Sequence, residues 1–366
     1  MTRTAKKLTK LTYIWLVLPV GLALGTWQGW SWWSWVSAPV IDSSQVSNPP
    51  QIQIEIAPGT GSQQIGNDLQ SAGLIRSSTA WRIWYQILRW QDRQGEFKSG
   101  TYTLSPTKPL RAIAEQIWRG QVAKTSYTIP EGWSLRQMAT YFESQGFFPA
   151  SGFMDAAKQI PRDRFPWLPE GIPHLEGFLI PDTYTYVIDK DGITPQAVIN
   201  QMLNHFQTKA LPIYEQQKGK TQLGFYDWVK LASIVEKESV LPTERRTIAG
   251  VFTERLRRGM KLEADPTVEY GLGIRQTADQ PLTYAQVQTP NPYNTYMNPG
   301  LTPTPIANPG LASLKATLDP EKTEYLFFVA RYDGSHVFSK TLEEHEAAAI
   351  AIRRQRDSQR PSPNPQ

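Results

Sequence analysis

In the run YDWVKLASIVEKESV (Tyr226–Val240), Glu236 has the setting best suited to proton transfer. Trp228, Leu231, Ala232 and Val235 recur at helical spacing, and Val229, Ala232, Ser233 and Val240 surround Glu236 on a second, mostly apolar face. A carboxyl placed there is expected to be partly desolvated. Loss of water disfavours its charged form, which suits a group that must deliver a proton near neutral pH. Glu238 follows two residues on, and at about 100° per residue the two carboxyls point roughly 200° apart, so they cannot serve one cleft as an acid/base pair. A second reading stays open, because an EKE run at a helix end is also the ordinary look of a solvated or salt-bridged terminus.

Other chemistries find less support. His174, His205, His336 and His345 are far apart in the chain and form no HExxH or comparable ligand spacing, so no metal centre is expected. The absence of cysteine removes disulfides, thiolate nucleophiles and Cys-ligated metals, but does not decide the compartment. Neither GxSxG nor a Walker motif occurs. Lys237 would suit a Schiff base, yet no glycine-rich phosphate cradle accompanies it, and Lys230, Lys237 and Glu244 form one polar helical stripe. No cofactor is expected. Further polar candidates are Glu176 and Asp182 in HLEGFLIPDTYTYVI, Asp265 before Pro266, and the group Tyr293, Asn294, Thr295 and Tyr296. Taken alone, Glu176 also reads as a surface or capping acid, and residues 293–296 also read as side chains that tie down their own loop.

Three long strings narrow these options. LASIVEKES, then ERRTIAGVFTERLRRGMKLEADPTVEYGLG, then TPNPYNTYMNPGLTPTPIANPGLASLKA closely resemble, in order, the endolytic murein transglycosylases of the MltG or YceG-like family, over about Ile52 to Ile350. The resemblance implies a membrane-anchored enzyme that cuts peptidoglycan glycan strands, with the first acid of IVEKE, Glu236, as its single catalytic acid. Ordinary glycosidases flank the scissile bond with two carboxyls about 5 to 9.5 Å apart, and the helix supplies at most one of them. In the implied mechanism the 6-hydroxyl of the N-acetylmuramic acid attacks its own anomeric carbon. Glu236 alone then suffices, giving and recovering one proton. Glu176, Asp182, Glu238, Asp265, Tyr293, Asn294, Thr295 and Tyr296 are taken as substrate-contact candidates, and cell-wall synthases as partners the resemblance raises.

The remaining elements must hold and deliver that helix. The net charge is +5, but Arg3, Lys6, Lys7 and Lys10 precede any apolar run, so the rest of the chain is nearly neutral and no nucleic-acid face is indicated. Leu11 to Trp35 contains no charged residue and is long enough to span a bilayer, with Trp27, Trp30, Trp32, Trp33 and Trp35 as an interfacial belt. The preceding basic residues put the N-terminus in the cytoplasm and the bulk of the chain outside the plasma membrane. Val36-Ser37-Ala38 imitates a signal-peptide cleavage site, although Pro39 follows it directly. Residues 37–51, rich in Pro and Ser, read as an extended tether.

A gapless internal repeat follows: IEIAPGTGSQQIGNDLQSAGLI (Ile54–Ile75) aligns with YTIPEGWSLRQMATYFESQGFF (Tyr127–Phe148). Each copy reads strand, glycine turn, helix, glycine stop, and Ser134 with Gln137 has capping-box spacing. Helices over 79–90 and 110–118 and a strand over 97–104 lie between the copies, with Trp81, Trp84, Trp90 and Trp118 readable as packing or as sugar-stacking rings. Family resemblance implies that part of this module is LysM-like and binds glycan. Beyond it, helices are expected over 195–217 and 243–259, the latter carrying Arg245, Arg246, Arg255, Arg257 and Arg258. A loop-rich stretch over 262–309, two short strands near 325–331 and 336–339, and a closing helix from Leu342 complete the chain. The expected fold is α+β: basic tail 1–10, transmembrane helix 11–36, linker 37–51, LysM-like module 52–150, a mainly helical transglycosylase-like domain 151–358 with a small strand pair, and a disordered tail 359–366. A wall-binding scaffold without catalysis is the competing class; it would bind glycan and make no new ends.

Overall fold

The structure is a computed structural model that describes residues 18–187, 192–277, 280–331 and 333–359. The basic tail 1–10 and residues 11–17 of the expected span lie outside the described residues, as does the tail expected over 359–366 except Gln359. The chain forms a mostly helical α+β structure with small strand pairs, divided into one unit of residues 1–126 and 185–192 and another of residues 127–184 and 193–366. The second copy of the repeat therefore belongs entirely to the second unit.

The first unit contains α1 (Leu18–Ser37), β1 (Ile52–Ile56), α2 (Ser62–Ser71), α3 (Ser78–Gln91), β2 (Gly100–Leu104) and α4 (Leu110–Trp118). β1 and β2 are antiparallel, with Ile52 opposite Leu104 and Ile56 opposite Gly100. Alternation along them turns Ile56, Tyr102 and Leu104 into a core shared with Leu69, Trp81, Ile113 and Ile117. Trp81 is fully buried and stacks on Phe97 at 4.5 Å, and Trp118 meets Phe97 edge-on, so these rings are packing. Trp90 is exposed.

No described helix is long and apolar enough to cross a membrane. α1 keeps Leu22, Trp27, Trp30 and Trp35 exposed, while its end docks on the unit through Val36 and Trp33. The segment expected as an extended tether is fastened at its start. Arg76 donates to the carbonyls of Trp35 and Pro39, and the Ile41 N–H donates to the Pro106 carbonyl, so backbone groups a free tether would leave to water have protein partners.

The second unit continues with β3 (Lys124–Thr128), α5 (Leu135–Ser144), α6 (Ala150–Ala156), β4 (Thr183–Val187), α7 (Pro195–Lys209) and α8 (Leu211–Gln217). β3 pairs with β4, and the division between the units falls within both strands. α5 starts at the expected capping box on Ser134 and Gln137. The single helix expected over 195–217 is two, because the chain turns at Ala210 and Pro212, which lacks an N–H, sits in the first turn of α8.

α9 (Phe225–Glu238) runs through the core of this unit, with Trp228, Val229, Leu231, Ala232, Ile234 and Val235 all buried. It packs against α10 (Arg245–Arg257) and α13 (Leu311–Leu318), and Trp228 donates its indole N–H to the Leu314 carbonyl at 2.8 Å. The stretch expected as loop contains α11 (Asp265–Leu272) and the short α12 (Tyr284–Val287). Asp265-Pro266 begins α11 as a helix start, which a turn signal alone does not distinguish. The antiparallel pair β5 (Phe327–Ala330) and β6 (His336–Ser339) and helix α14 (Leu342–Gln359) close the unit.

The arginine face of α10 is mostly spent on structure. Arg255 is buried and donates to the Leu262 carbonyl at 2.9 Å, Arg246 pairs with Asp319 at 2.9 Å, and Arg257 and Arg258 both pair with Glu254. The burial of Trp228 generates a stability prediction. Trp228→Ala should cost about 3 to 5 kcal/mol, from lost apolar burial and the cavity left behind, read as a lower midpoint of chemical unfolding.

Candidate active site

α9 holds the segment PTPIANPG (residues 303–310) at two points one turn apart. Ser233 Oγ accepts the Ile306 N–H at 3.0 Å, and Glu236 Oε2 accepts the Gly310 N–H at 3.0 Å. Gly310 is the N-cap of α13 and has no side chain to cap it, so the Glu236 carboxylate serves a helix N-terminus from outside. Glu236 itself is half-buried.

Between those points lies Asn308, which has no solvent exposure. Its Oδ1 accepts the N–H groups of Gly177 and Leu179, both at 2.9 Å. Its Nδ2 donates to the Trp133 carbonyl at 3.0 Å and to Glu176 Oε1 at 2.7 Å. Its backbone donates to the Trp133 carbonyl at 2.9 Å and accepts from the Gly132 N–H at 3.0 Å. One amide thus fastens residues 132–133, 176–179 and 306–310 together. Nothing in the sequence marked Asn308 beyond its place in an Asn-Pro-Gly turn signal.

Glu176 completes this junction from inside. It is 2 % exposed, accepts the Leu135 N–H at the start of α5 through both oxygens, and receives the Tyr270 hydroxyl at 3.2 Å. Burial pushes its carboxyl up to about 8, against the pull of the Leu135 N–H, Tyr270, Asn308 and the Arg136 charge. Glu176 is therefore a buried tie between segments, while also forming part of the wall of a cleft.

That cleft has a volume of about 580 Å³ and lies within the second unit. Its wall includes Arg136, Glu269, Arg275 and Tyr293. Gly132 and Lys237 also line it, and they are the chain neighbours of Glu131 and Glu236. Glu236 stands at this edge and not in the wall.

Glu236 is not the only acid near this edge. Glu131 brings a second carboxyl to the same place, occupying the space a side chain at position 310 would need: a Cβ on Gly310 would overlap Glu131 Oε1. The Glu131 carboxyl keeps contact with solvent but is held above the ordinary range by its partial burial, then by the Glu236 charge, with Arg245 pulling the other way. Arg245 Nε is buried and, among the described residues, makes no hydrogen bond. The repeat carried a signal for Glu131, since the first copy has Pro58 at that position of the turn.

The other candidates separate. Glu238 is not in the cleft wall and lies near Asp265 and Glu269; burial and then those two charges push its carboxyl up to about 8. Asp265 accepts the Tyr296 hydroxyl at 2.7 Å, and burial followed by the Asp265 charge raises that phenol far above its usual range. Thr295 is buried, accepting the Ala264 N–H at 3.0 Å and bonding to Thr267 at 2.9 Å. Asn294 is buried and donates to the carbonyls of Val287 and Thr289 at 2.8 and 2.9 Å. Both side chains tie down their own loop. Tyr293 lines the cleft beside Tyr270, its hydroxyl bonded to Thr304 at 3.0 Å. Asp182 is outside the cleft wall and pairs with His205 at 2.8 Å.

The raised carboxyl of Glu176 predicts a pH dependence of stability. The native state keeps this proton up to about 8, whereas an unfolded glutamate loses it near 4.5, so stability from this group is full below about 4.5 and is lost as pH rises toward 8. Glu176→Gln should reduce the fall in unfolding free energy across that window by an amount on the order of a few kcal/mol, measured by denaturant unfolding at several pH values.

Comparison with known proteins agrees with this architecture. A family model described as YceG-like matches residues 54–351. An endolytic murein transglycosylase of Bacillus subtilis (strain 168) is 31% identical over 315 residues, covering 81% of this chain and 83% of that protein. Its counterpart in Streptococcus pneumoniae serotype 2 is 28% identical over 325 residues, covering 81% of this chain and 57% of that longer protein. Among solved structures, one from Listeria monocytogenes described as YceG-like superposes with a TM-score of 0.55 at 31% identity, covering 82% of this chain and 100% of that one. By the extent of the family match and the level of identity over most of its length, the chain belongs to the YceG-like family.

Proposed function

We propose that this chain is an endolytic lytic transglycosylase that cuts the bond between N-acetylmuramic acid and N-acetylglucosamine inside peptidoglycan strands, leaving 1,6-anhydro ends and ending the elongation of nascent strands. The observation that carries the reading is the Glu236 carboxylate, held by the Gly310 N–H at the edge of the 580 Å³ cleft of the second unit. Relatives named as endolytic murein transglycosylases support it.

In this mechanism Glu236 protonates the leaving 4-oxygen of N-acetylglucosamine as its bond to the muramic C1 breaks. The muramic 6-hydroxyl then attacks C1 and returns its proton to Glu236 as the anhydro ring closes. No water is consumed, and the enzyme ends with the proton it began with. Holding the 6-hydroxyl against C1 is worth far more than a free nucleophile, because the reacting atoms already belong to one sugar residue.

Part of the module over residues 52–150 is proposed to be LysM-like and to help hold glycan. Residues 11–36 are proposed to anchor the chain in the plasma membrane, with the N-terminus cytoplasmic and the chain beyond residue 36 outside, near cell-wall synthases. The uncharged stretch from Leu11 to Trp35 and the exposed tryptophans of α1 support this placement.

Purified protein incubated with intact sacculi should yield anhydro-ended fragments by mass spectrometry. Glu236→Gln should reduce their rate of formation by about 10²-fold or more, the usual contribution of a general acid/base. Undiminished product from that variant would remove Glu236 from the mechanism, and glycan binding without any new ends would favour the scaffold.

A further inference from the structure

We propose that Glu131 is a positioning residue that shares one proton with Glu236 across Gly310 and keeps that acid supplied for each cut. The inference rests on the reading of Glu236 given above. Two carboxyls from different elements converge on one glycine: Glu236 Oε2 accepts its N–H at 3.0 Å, and Glu131 Oε1 fills the place of its missing side chain. The loop carrying Glu131 is pressed onto α9, since a Cβ on Gly132 would stand 3.4 Å from Glu236 Cγ and 3.7 Å from Lys237 Cδ.

The charged groups facing this pair are few. α9 contributes Glu236 itself and Lys237, whose stem passes Gly132. α10 contributes Arg245, which acts on Glu131, while the start of α13 contributes only the backbone N–H of Gly310. Two carboxylates this close repel, and the cost is relieved when the pair retains a proton. The upward displacement of the Glu131 carboxyl, by partial burial and then by Glu236, has that sign.

The fold does not require an acid at this turn. In the first copy of the repeat the same turn is built with Pro58 before Gly59, and both Gly59 and Gly132 take positive φ, at 81° and 75°. Glu131 is thus free to serve chemistry. The proton count closes: the pair starts with one proton, passes it through Glu236 to the leaving oxygen as the C1–O bond breaks, and regains one from the 6-hydroxyl as the new C1–O bond forms.

The test uses the full-length chain in detergent, with kcat and KM for anhydro-end formation measured from pH 4 to 9. In Glu131→Gln the loss of kcat on the alkaline side should move to lower pH by at least about one unit, with KM unchanged. A kcat profile parallel to wild type at every pH, lowered or not, would overturn the inference. Carboxyl ¹³C titration without substrate separates this result from the fate of the proposed activity. Wild type should show a two-step, mutually dependent titration of Glu131 and Glu236 that becomes a single step in Glu131→Gln and in Glu236→Gln. Independent single-step titrations would overturn the sharing even in an active enzyme. Coupled titration in a protein that makes no anhydro ends would uphold the pair and dismiss the transglycosylase reading.

Discussion

The second unit depends on the satisfaction of one buried amide. Asn308 is sealed from solvent and uses its Oδ1 for two backbone N–H groups and its Nδ2 for the Trp133 carbonyl and Glu176. Every polar atom of the side chain has a partner, and so do backbone groups on segments remote in sequence that would otherwise be buried unpaired. An unmade bond at such a site costs more than a made one contributes, so the junction tends to be kept whole or lost together. The position of Gly310, two residues on, follows from it.

From that junction the placement of the acids can be derived. Ser233 and Glu236 lie three residues apart and face the same way from α9, so one helix face grips both Ile306 and Gly310. The N-terminus of α13 offers donors with no intrahelical acceptor, and a carboxylate is the group best suited to meet them. Because position 310 is glycine, a second carboxyl can approach as well. Geometry that looks like helix capping thus also gathers two acids at the edge of a cleft.

Acids in this unit fall into two physical classes. Glu176 is enclosed and bound on all sides, and its proton is a matter of stability. Glu131 and Glu236 retain solvent access and have spare lone pairs. Only the second class can exchange protons with a bound molecule without first dismantling the fold. The same division explains Asn294 and Thr295, whose polarity is consumed in holding α11 and α12 to their loop.

Much of the local structure was legible in the residues themselves. The helical stripe of α9, the capping box of Ser134 and Gln137, and the strand–turn–helix pattern of both repeat copies depend on neighbours a few positions apart, and short-range periodicity and cap chemistry encode such contacts. The opposed directions of Glu236 and Glu238 were likewise fixed by helix geometry. The fastening of Pro39 and Ile41 was not legible, because it depends on Arg76 and Pro106. Nor was the meeting of Glu131 with Glu236, or the role of Asn308, since each joins residues more than seventy positions apart through hydrogen bonds and close approach that leave no period in the chain. Sequence alone determined which face of α9 would be buried and where α5 would begin. Tertiary structure decided which acids became neighbours, because only the folded chain brings their backbones within reach of a single glycine.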